Sequence, residues 1–180
     1  MDRNIQKEFE EKLIRTIGQG FSLRWETDSK GVVTGWCRLD DHSRITNVAM
    51  IVSGLGGRVI TITAYKTKDV HQRDIHEIAY HFDLDGCTCT VTIEIPRNSG
   101  KVNSITPILK SADWTERELQ ELYGIKVVGH PNPKRLFLDE TIDEGIMNKL
   151  IPLSVAMNGA TSKTLWEKVF AATSKEVDTK

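Results

Sequence analysis

The sequence predicts one domain in which helices pack on a sheet whose strands have one apolar and one polar face. Residues 5–17 carry an apolar side chain at every fourth position, which is the spacing of an amphipathic helix. Two runs around Asp85–Gly86 alternate apolar and polar residues over 78–84 and 87–95, as strands joined by a tight turn do. The length of 180 residues suits one domain with an added tail.

Turn and capping residues divide the chain into short elements. In chain order we predict a helix that ends at Gly18 or Gly20, a hairpin of strands around 21–25 and 32–39, a helix that follows Asp40–Asp41 and ends at Gly54–Gly57, strands over 58–65, 78–84 and 87–95, and an extended segment over 102–109. Residues 66–73 are predicted to form a polar turn, and Pro107 places the extended segment at a sheet edge or a strand end. Trp36 is predicted to be a packing residue.

Charge and composition exclude several classes of protein. Lys and Arg number 24 against 25 Asp and Glu, so no overall cationic field favours nucleic acid, which is not an expected partner. The longest aliphatic run, Val48–Val52, is far shorter than the roughly 20 residues that span a bilayer, and the start of the chain lacks the apolar core of a signal peptide. We therefore expect a soluble protein that is not secreted, with its three cysteines as free thiols.

Two motifs invite a chemical interpretation that their context does not support. Gly54–Gly57 resembles a phosphate-binding loop, but the predicted order is helix then strand, so a helix end is the better interpretation. Cys87 and Cys89 are too few for a zinc or iron–sulfur site. They share a strand face with Val91 and Ile93, so we predict buried thiols and no metal site.

The histidines do not form a catalytic or metal-binding set by local geometry. His71, His76 and His81 repeat at intervals of five, which places neighbours on opposite faces of a strand and well apart around a helix. We predict that they are solvated or lie at an edge.

Ser111–Leu138 is denser in charged, aromatic and turn-forming residues than the rest of the chain. A helix is predicted from Asp113 to Gly124, followed by a short strand over 125–128. Asp113 and Glu116 have the spacing of a capping box. Glu118 and Glu121 face the same way, and this like-charge pair is unfavourable unless a cation lies against it.

A basic turn follows the predicted helix and strand. Pro131 and Pro133 make it rigid and hold Lys134 and Arg135 in place, after His130. The cation that the acidic helix needs comes either from these two residues or from another molecule. On physical grounds an internally compensated surface and an interface are equally good interpretations.

The run E-R-E-L-Q-E-L-Y-G-I-K-V-V-G-H-P-N-P-K-R-L-F over 116–137 resembles the signature of the 30 kDa subunit family of respiratory complex I. The matching subunit of membrane-bound, energy-converting nickel–iron (NiFe) hydrogenases shares this signature. The resemblance extends over residues 1–138 and implies an α+β fold, with a mixed or antiparallel sheet flanked by helices. Residues 139–180 then form a C-terminal, partly helical extension of this single domain.

The resemblance also implies that this chain catalyses no reaction itself. It implies a non-catalytic structural subunit in the cytoplasmic hydrophilic arm of an ion-translocating, membrane-bound oxidoreductase, docked on a hydrogenase-like large subunit beside an iron–sulfur small subunit. Membrane-arm subunits are reached only indirectly. Iron–sulfur clusters and a nickel–iron centre would belong to the partners, and this chain would bind no cofactor. The implied partner-binding residues are Glu116, Arg117, Glu118, Glu121, His130, Pro131, Lys134 and Arg135.

Three alternatives stay open at this point. After Leu138 the chain departs from the Gly-x-Pro-Leu-Arg-Lys-Asp continuation of complex I members, which favours a hydrogenase-type or sulfur-reducing relative over a quinone-reducing complex I. A stand-alone enzyme would use Glu118 and His130 as acid and base, but the sequence offers no nucleophile, metal set or phosphate loop. The third alternative is an interaction module outside respiration.

Overall fold

The helices and strands, in chain order, are α1 Ile5–Ile17, β1 Phe21–Thr27, β2 Val33–Leu39, α2 Ile45–Gly54, β3 Arg58–Lys68, β4 Asp74–Leu84, β5 Cys87–Pro96, β6 Lys101–Asn103, α3 Asp113–Tyr123 and β7 Lys126–Val128. Five of the strands form one mixed sheet in the order β1-β2-β5-β4-β3. All neighbours in this sheet are antiparallel except β2 and β5, which run parallel. This confirms the predicted α+β class.

The computed structural model describes residues 4–97 and 100–148. The compact unit that carries the sheet ends at Ile146. The predicted linker at 158–162 and helix at 165–170 lie outside the described residues, and the domain border placed at residue 138 stays a prediction.

The two N-terminal helices form where the periodicity predicts them. Asn4 accepts the N–H of Lys7 at the start of α1, and Gly18 ends the helix with φ 73°. Asp41 caps a short 3-10 turn that leads into α2, by accepting the N–H of Ser43 at 2.8 Å. Glycine ends α2, which confirms that Gly54–Gly57 is a helix end.

One face of the sheet and the helices share a single hydrophobic core. On β5 the alternate residues from Cys87 to Ile95 are buried in this core, while Thr88, Thr92 and Glu94 on the opposite face are half-buried. Helix residues such as Phe9 of α1 complete the same cluster. The alternation in the sequence therefore reports the two faces correctly.

The hairpin of β3 and β4 is longer than predicted. β3 continues to Lys68, which pairs with Asp74, so the turn contains only 69–73 instead of 66–73. Asp69 closes it by accepting the N–H groups of His71 at 2.8 Å and Arg73 at 2.9 Å. The polar residues at 66–68 extend the strand because their backbone groups pair with β4.

Two predictions about side-chain exposure are wrong. His76 is only 1% exposed, because β4 begins at Asp74 and position 76 faces the core, where the imidazole meets the ring of Tyr123 edge-on. Trp36 is 41% exposed and donates its indole N–H to Glu26 at 3.1 Å. Trp25, on the other face of the hairpin, is the tryptophan that packs on the core.

The segment 102–109 is extended only at its start. Lys101–Asn103 pairs in parallel with β7 to form a separate two-stranded sheet. The N–H groups of Ile108 and Leu109 then bond to the carbonyl of Ile105, so the chain turns before a 3-10 helix at Lys110–Ala112 leads into α3. Pro107 therefore lies in a turn.

The three cysteines are free and buried, as predicted. Burial raises the pKa of Cys37 to about 12 and also raises the pKa of Cys87 and of Cys89. All three thiols therefore stay protonated at neutral pH.

We expect Gly35→Ala to destabilise the fold by about 1–3 kcal/mol, because overpacking forces neighbours to move. A Cβ at Gly35 would lie 2.5, 2.8 and 2.9 Å from ring atoms of Trp25. Chemical denaturation measures the change. In the control Gly54→Ala, the new Cβ at the end of α2 meets nothing within 4 Å, so that variant should be neutral or slightly more stable. Equal stability of the two variants would contradict the close packing of Trp25.

We expect the thiols of the folded protein to resist iodoacetamide at about pH 8, since the thiolate is the reacting form and a raised pKa keeps it scarce. Unfolding restores the ordinary pKa and exposes all three cysteines. Mass spectrometry before and after denaturation counts the labelled thiols. Rapid labelling of Cys37 or Cys89 in the native state would show that their burial is wrong.

Candidate functional site

The charged stretch folds into a tight unit that we call the α3 corner, defined as α3 together with residues 129–142. Beyond β7 the segment has no regular secondary structure, yet it runs alongside α3 in the same direction. His130 meets the helix at Asp113, the carbonyls of 134 and 135 meet it at Arg117, and the N–H groups of 136–138 meet it at Glu121. Charged side chains make most of these hydrogen bonds.

Glu116 is a buried carboxylate that binds the loop before the helix. Its oxygens accept the N–H of Ile105 at 2.6 Å and the hydroxyls of Ser104 at 2.5 Å and Thr106 at 2.6 Å. The predicted capping box with Asp113 is wrong. The 3-10 helix runs directly into α3, so Ala112 is the N-cap, and no side chain caps the helix.

His130 pins the turn to the start of α3. Its Nδ1 accepts the N–H of Asn132 at 3.0 Å, so the ring proton of the neutral imidazole lies on Nε2. Nε2 lies 3.2 Å from the carbonyl oxygen and 3.3 Å from Oδ1 of Asp113, and 3.8 Å from Oε2 of Glu116. The imidazole is thus fully occupied by internal contacts.

Glu121 holds the segment that follows the turn. Its side chain is buried, and its two oxygens accept the N–H groups of Leu136 at 3.2 Å, of Phe137 at 3.0 and 3.1 Å, and of Leu138. Three consecutive N–H groups that converge on one carboxylate form an anion nest. The backbone carbonyl of Glu121 also accepts the N–H of Gly145 at 2.9 Å.

The two arginines bond to backbone carbonyls. Arg117 donates from Nε to the carbonyl of Lys134 and from Nη2 to the carbonyl of Arg135, both at 2.7 Å. Arg135 donates from Nη1 to the carbonyl of Asp139 at 2.7 Å and also to that of Ile142. The sequence left two sources open for the positive charge near Glu121, namely Lys134 or Arg135 and another molecule. In the structure neither Lys134 nor Arg135 bonds to Glu121, whose oxygens accept backbone N–H groups instead.

The structure divides the predicted site residues into an inner and an outer group. Inside the α3 corner lie Glu116, Arg117, Glu121, His130 and Arg135, each with bonds to the chain itself. The outer group consists of Glu118, Pro131 and Lys134; Glu118 is half-buried and the other two are exposed. Glu118 and Lys134 make no side-chain bond within the described residues.

The structure does not bring the candidate acid and base together. Glu118 and His130, the candidate acid and base, do not contact each other, and both ring nitrogens of His130 already have partners. Within residues 4–97 and 100–148, no group of three potential ligands could hold a metal ion. In the same part of the chain, no helix is long and apolar enough to cross a membrane.

Sequence reasoning missed the partners of the buried carboxylates. The sequence gives only a weak indication of the partners of Glu116. Ser104 and Thr106 are two hydroxyl residues on either side of the apolar Ile105, shortly before a helix. The nest at 136–138 has no signal in the sequence, since any residue except proline carries the same N–H.

The structure is that of an α+β protein in which the inner charged residues of the α3 corner bond to the chain itself. The family model described as the 30 Kd subunit of respiratory-chain NADH dehydrogenase matches residues 41–161. The chain belongs to this family.

Similar curated proteins match over short stretches. NAD(P)H-quinone oxidoreductase subunit J of Synechococcus sp. (strain RCC307) is 51% identical over 39 residues, 22% of each chain. A subunit of the NADH-quinone oxidoreductase of Rhodopseudomonas palustris (strain TIE-1) is 43% identical over 53 residues, 29% of this chain and 26% of the relative. Formate hydrogenlyase subunit 5 of Escherichia coli (strain K12) is 41% identical over 59 residues, 32% of this chain and 10% of the relative. The matches thus span about a quarter or less of these relatives.

Two solved structures share the fold at low sequence identity. A trypsin-resistant fragment of Nqo5 superposes with a TM-score of 0.50 at 20% identity, covering 69% of this chain and 98% of the fragment. A chain of the membrane-bound sulfane sulfur reductase, an archaeal respiratory membrane complex, gives a TM-score of 0.51 at 13% identity, with 75% and 78% covered. At these identities the likeness establishes the fold alone.

We expect Glu121→Gln to free the segment at 136–138, because an amide presents one acceptor oxygen and turns an NH2 group toward backbone donors. A buried donor left without its acceptor costs about 1–3 kcal/mol. Hydrogen exchange at the amides of Leu136, Phe137 and Leu138 should accelerate. The matched control is Glu118→Gln on the same helix, which should leave exchange there unchanged. Equal protection in both variants would contradict the role of Glu121.

Proposed function

We propose that this chain is a non-catalytic structural and assembly subunit in the hydrophilic arm of an ion-translocating, membrane-bound oxidoreductase of the energy-converting hydrogenase type. In this proposal it docks through the α3 corner on a nickel–iron hydrogenase-like large subunit, beside an iron–sulfur small subunit. Iron–sulfur clusters and the nickel–iron centre belong to those partners. We place the assembly at the cytoplasmic face of the membrane, with this chain peripheral and membrane-arm subunits reached only indirectly.

The single observation that carries a structural role is how the charges of the α3 corner are used. Glu116, Glu121 and His130 are buried and bonded to the chain, and Arg117 and Arg135 bond to carbonyls. A general acid or base needs a group within reach of a substrate proton. These groups instead fix a non-helical segment against a helix, which is what a rigid docking surface requires.

One similarity and one departure from the complex I pattern support the hydrogenase type. One stretch of this chain is 41% identical to formate hydrogenlyase subunit 5, and residues after Leu138 lack the continuation expected of complex I members. The alternative is the same subunit in a quinone-reducing complex I or a sulfur-reducing relative. Its support is the 51% identity to a NAD(P)H-quinone oxidoreductase subunit over 39 residues.

Isolation of the native complex through a tag on this chain tests the proposal. We expect the largest soluble partner to be hydrogenase-like and the complex to contain nickel. A nickel-free complex that reduces quinone or sulfur compounds would select the alternative. Recovery of this chain without partners, or turnover by the chain alone, would overturn the structural role.

We expect Arg117→Glu to reduce the amount of this chain recovered with the complex at least about tenfold, in the range of interface hot spots. The Arg117 side chain is 12% exposed, and reversal places a carboxylate against two carbonyl oxygens that it now binds. Arg135→Glu should act in the same direction.

The control for this experiment is Arg15→Glu, an exposed arginine in the last turn of α1. It makes the same charge change away from the α3 corner and should leave recovery unchanged. The ratio of this chain to the large subunit, quantified by mass spectrometry, gives the result. Unchanged recovery of the folded Arg117 variant would exclude the α3 corner as the docking site.

A further inference from the structure

The turn at residues 131–133 is joined to the rest of the α3 corner by one hydrogen bond. All three residues are exposed. Pro131 and Pro133 have no backbone N–H, so Asn132 is the only backbone donor of the turn. Its N–H donates to Nδ1 of His130 at 3.0 Å. Within the described part of the chain, this is the only hydrogen bond that the turn makes.

The acceptor of this hydrogen bond is an atom that can take up a proton. A neutral imidazole has one N–H group and one acceptor nitrogen, whereas the doubly protonated ring has two N–H groups and no acceptor. Histidine is the side chain whose charge normally changes between about pH 5 and 8. A proton on Nδ1 of His130 would point at the N–H of Asn132, donor against donor. The hydrogen bond is therefore lost when the ring gains its second proton.

The opposite edge of the ring keeps its contacts in both protonation states. Nε2 carries a proton in the neutral tautomer that the structure requires and in the doubly protonated ring alike. It lies 3.2 Å from the carbonyl oxygen of Asp113 and 3.3 Å from Oδ1 of the same residue, and 3.8 Å from Oε2 of Glu116. A charged ring still donates to these oxygens. Protonation therefore acts on the turn and leaves the ring bound to α3.

The other groups around the ring do not take over the role of Nδ1. Arg117 of α3 lies 3.9 Å from the second carboxylate oxygen of the aspartate that binds the ring. The loop at 104–106 presents neutral hydroxyls to Glu116. Burial and the charge of Glu116 raise the pKa of Tyr80 on β4, so this phenol stays neutral. The turn itself has no charged side chain, and Lys134 after it is exposed.

We propose that His130 is a pH-sensitive switch for this turn: the neutral imidazole holds residues 131–133 in place, and protonation of the ring releases them. One proton passes from solvent to Nδ1, and the hydrogen bond from Asn132 is the only bond lost. The turn contains Pro131 and leads to Lys134, so acidification changes the outer surface of the α3 corner. The inference concerns this chain alone and goes beyond the proposed function, so either one can fail without the other.

NMR spectroscopy of the isotope-labelled full-length chain between about pH 8 and 5 tests the switch. At the higher pH the ring of His130 should carry its proton on Nε2. As the ring takes up its second proton, protection of the Asn132 amide against hydrogen exchange should fall about tenfold, the scale of one lost hydrogen bond. Both changes should have the same midpoint, while the Nε2 proton stays slow to exchange.

Two results of this titration would overturn the proposal. One is an Asn132 amide whose protection stays the same while the ring of His130 is protonated. The other is a ring that takes up no second proton before the whole chain unfolds.

Substitution of His130 separates protonation from loss of the side chain. In His130→Asn the amide oxygen can accept the N–H two residues on, as in an Asx turn, but does not titrate. Asn132 should then stay protected over the whole pH range, whereas His130→Ala should leave it unprotected throughout. The matched control is His71→Asn in the exposed turn after β3, which should titrate like the native chain. An Asn132 amide that still responds to pH in the folded His130→Asn variant would refute the assignment to His130.

Discussion

The α3 corner depends on hydrogen bonds between charged side chains of one helix and the backbone of a segment that has no regular secondary structure. The Glu121 carboxylate accepts hydrogen bonds from three backbone N–H groups, and the Arg117 guanidinium donates to two backbone carbonyls. Charge-assisted bonds of this kind are stronger than neutral ones. They also satisfy backbone groups that no sheet or helix would otherwise pair. They hold residues 134–138 against α3.

This constraint changes which residues a partner can meet. Glu116, Glu121 and His130 resemble surface charges in the sequence, but the fold buries them. Substituting one of them therefore acts first on the segment that it holds. Trp114 and Phe137 of the same corner are exposed.

The mixed sheet provides the surface on which the α3 corner is fixed. β2 and β5 are parallel neighbours, so the chain between them must cross over the sheet, and α2 lies in that connection. β3 and β4 complete the connection as a long hairpin at the edge. Helix α3 packs beside β3, where the hydroxyl of Ser111 accepts the N–H of Val59 at 3.0 Å. Helix α3 is thereby fixed to the longest hairpin of the sheet.

The sequence by itself determined the elements whose signals are local. The period of α1, the alternation of β5 and the glycines that end helices all depend on residues close together in the chain. Only the tertiary structure decided that His76 is buried and that Glu121 binds backbone N–H groups. The reason is physical: the partners are distant in sequence, and a backbone group is the same in every residue but proline. A pattern of side chains therefore predicts the helix but not what its charges hold.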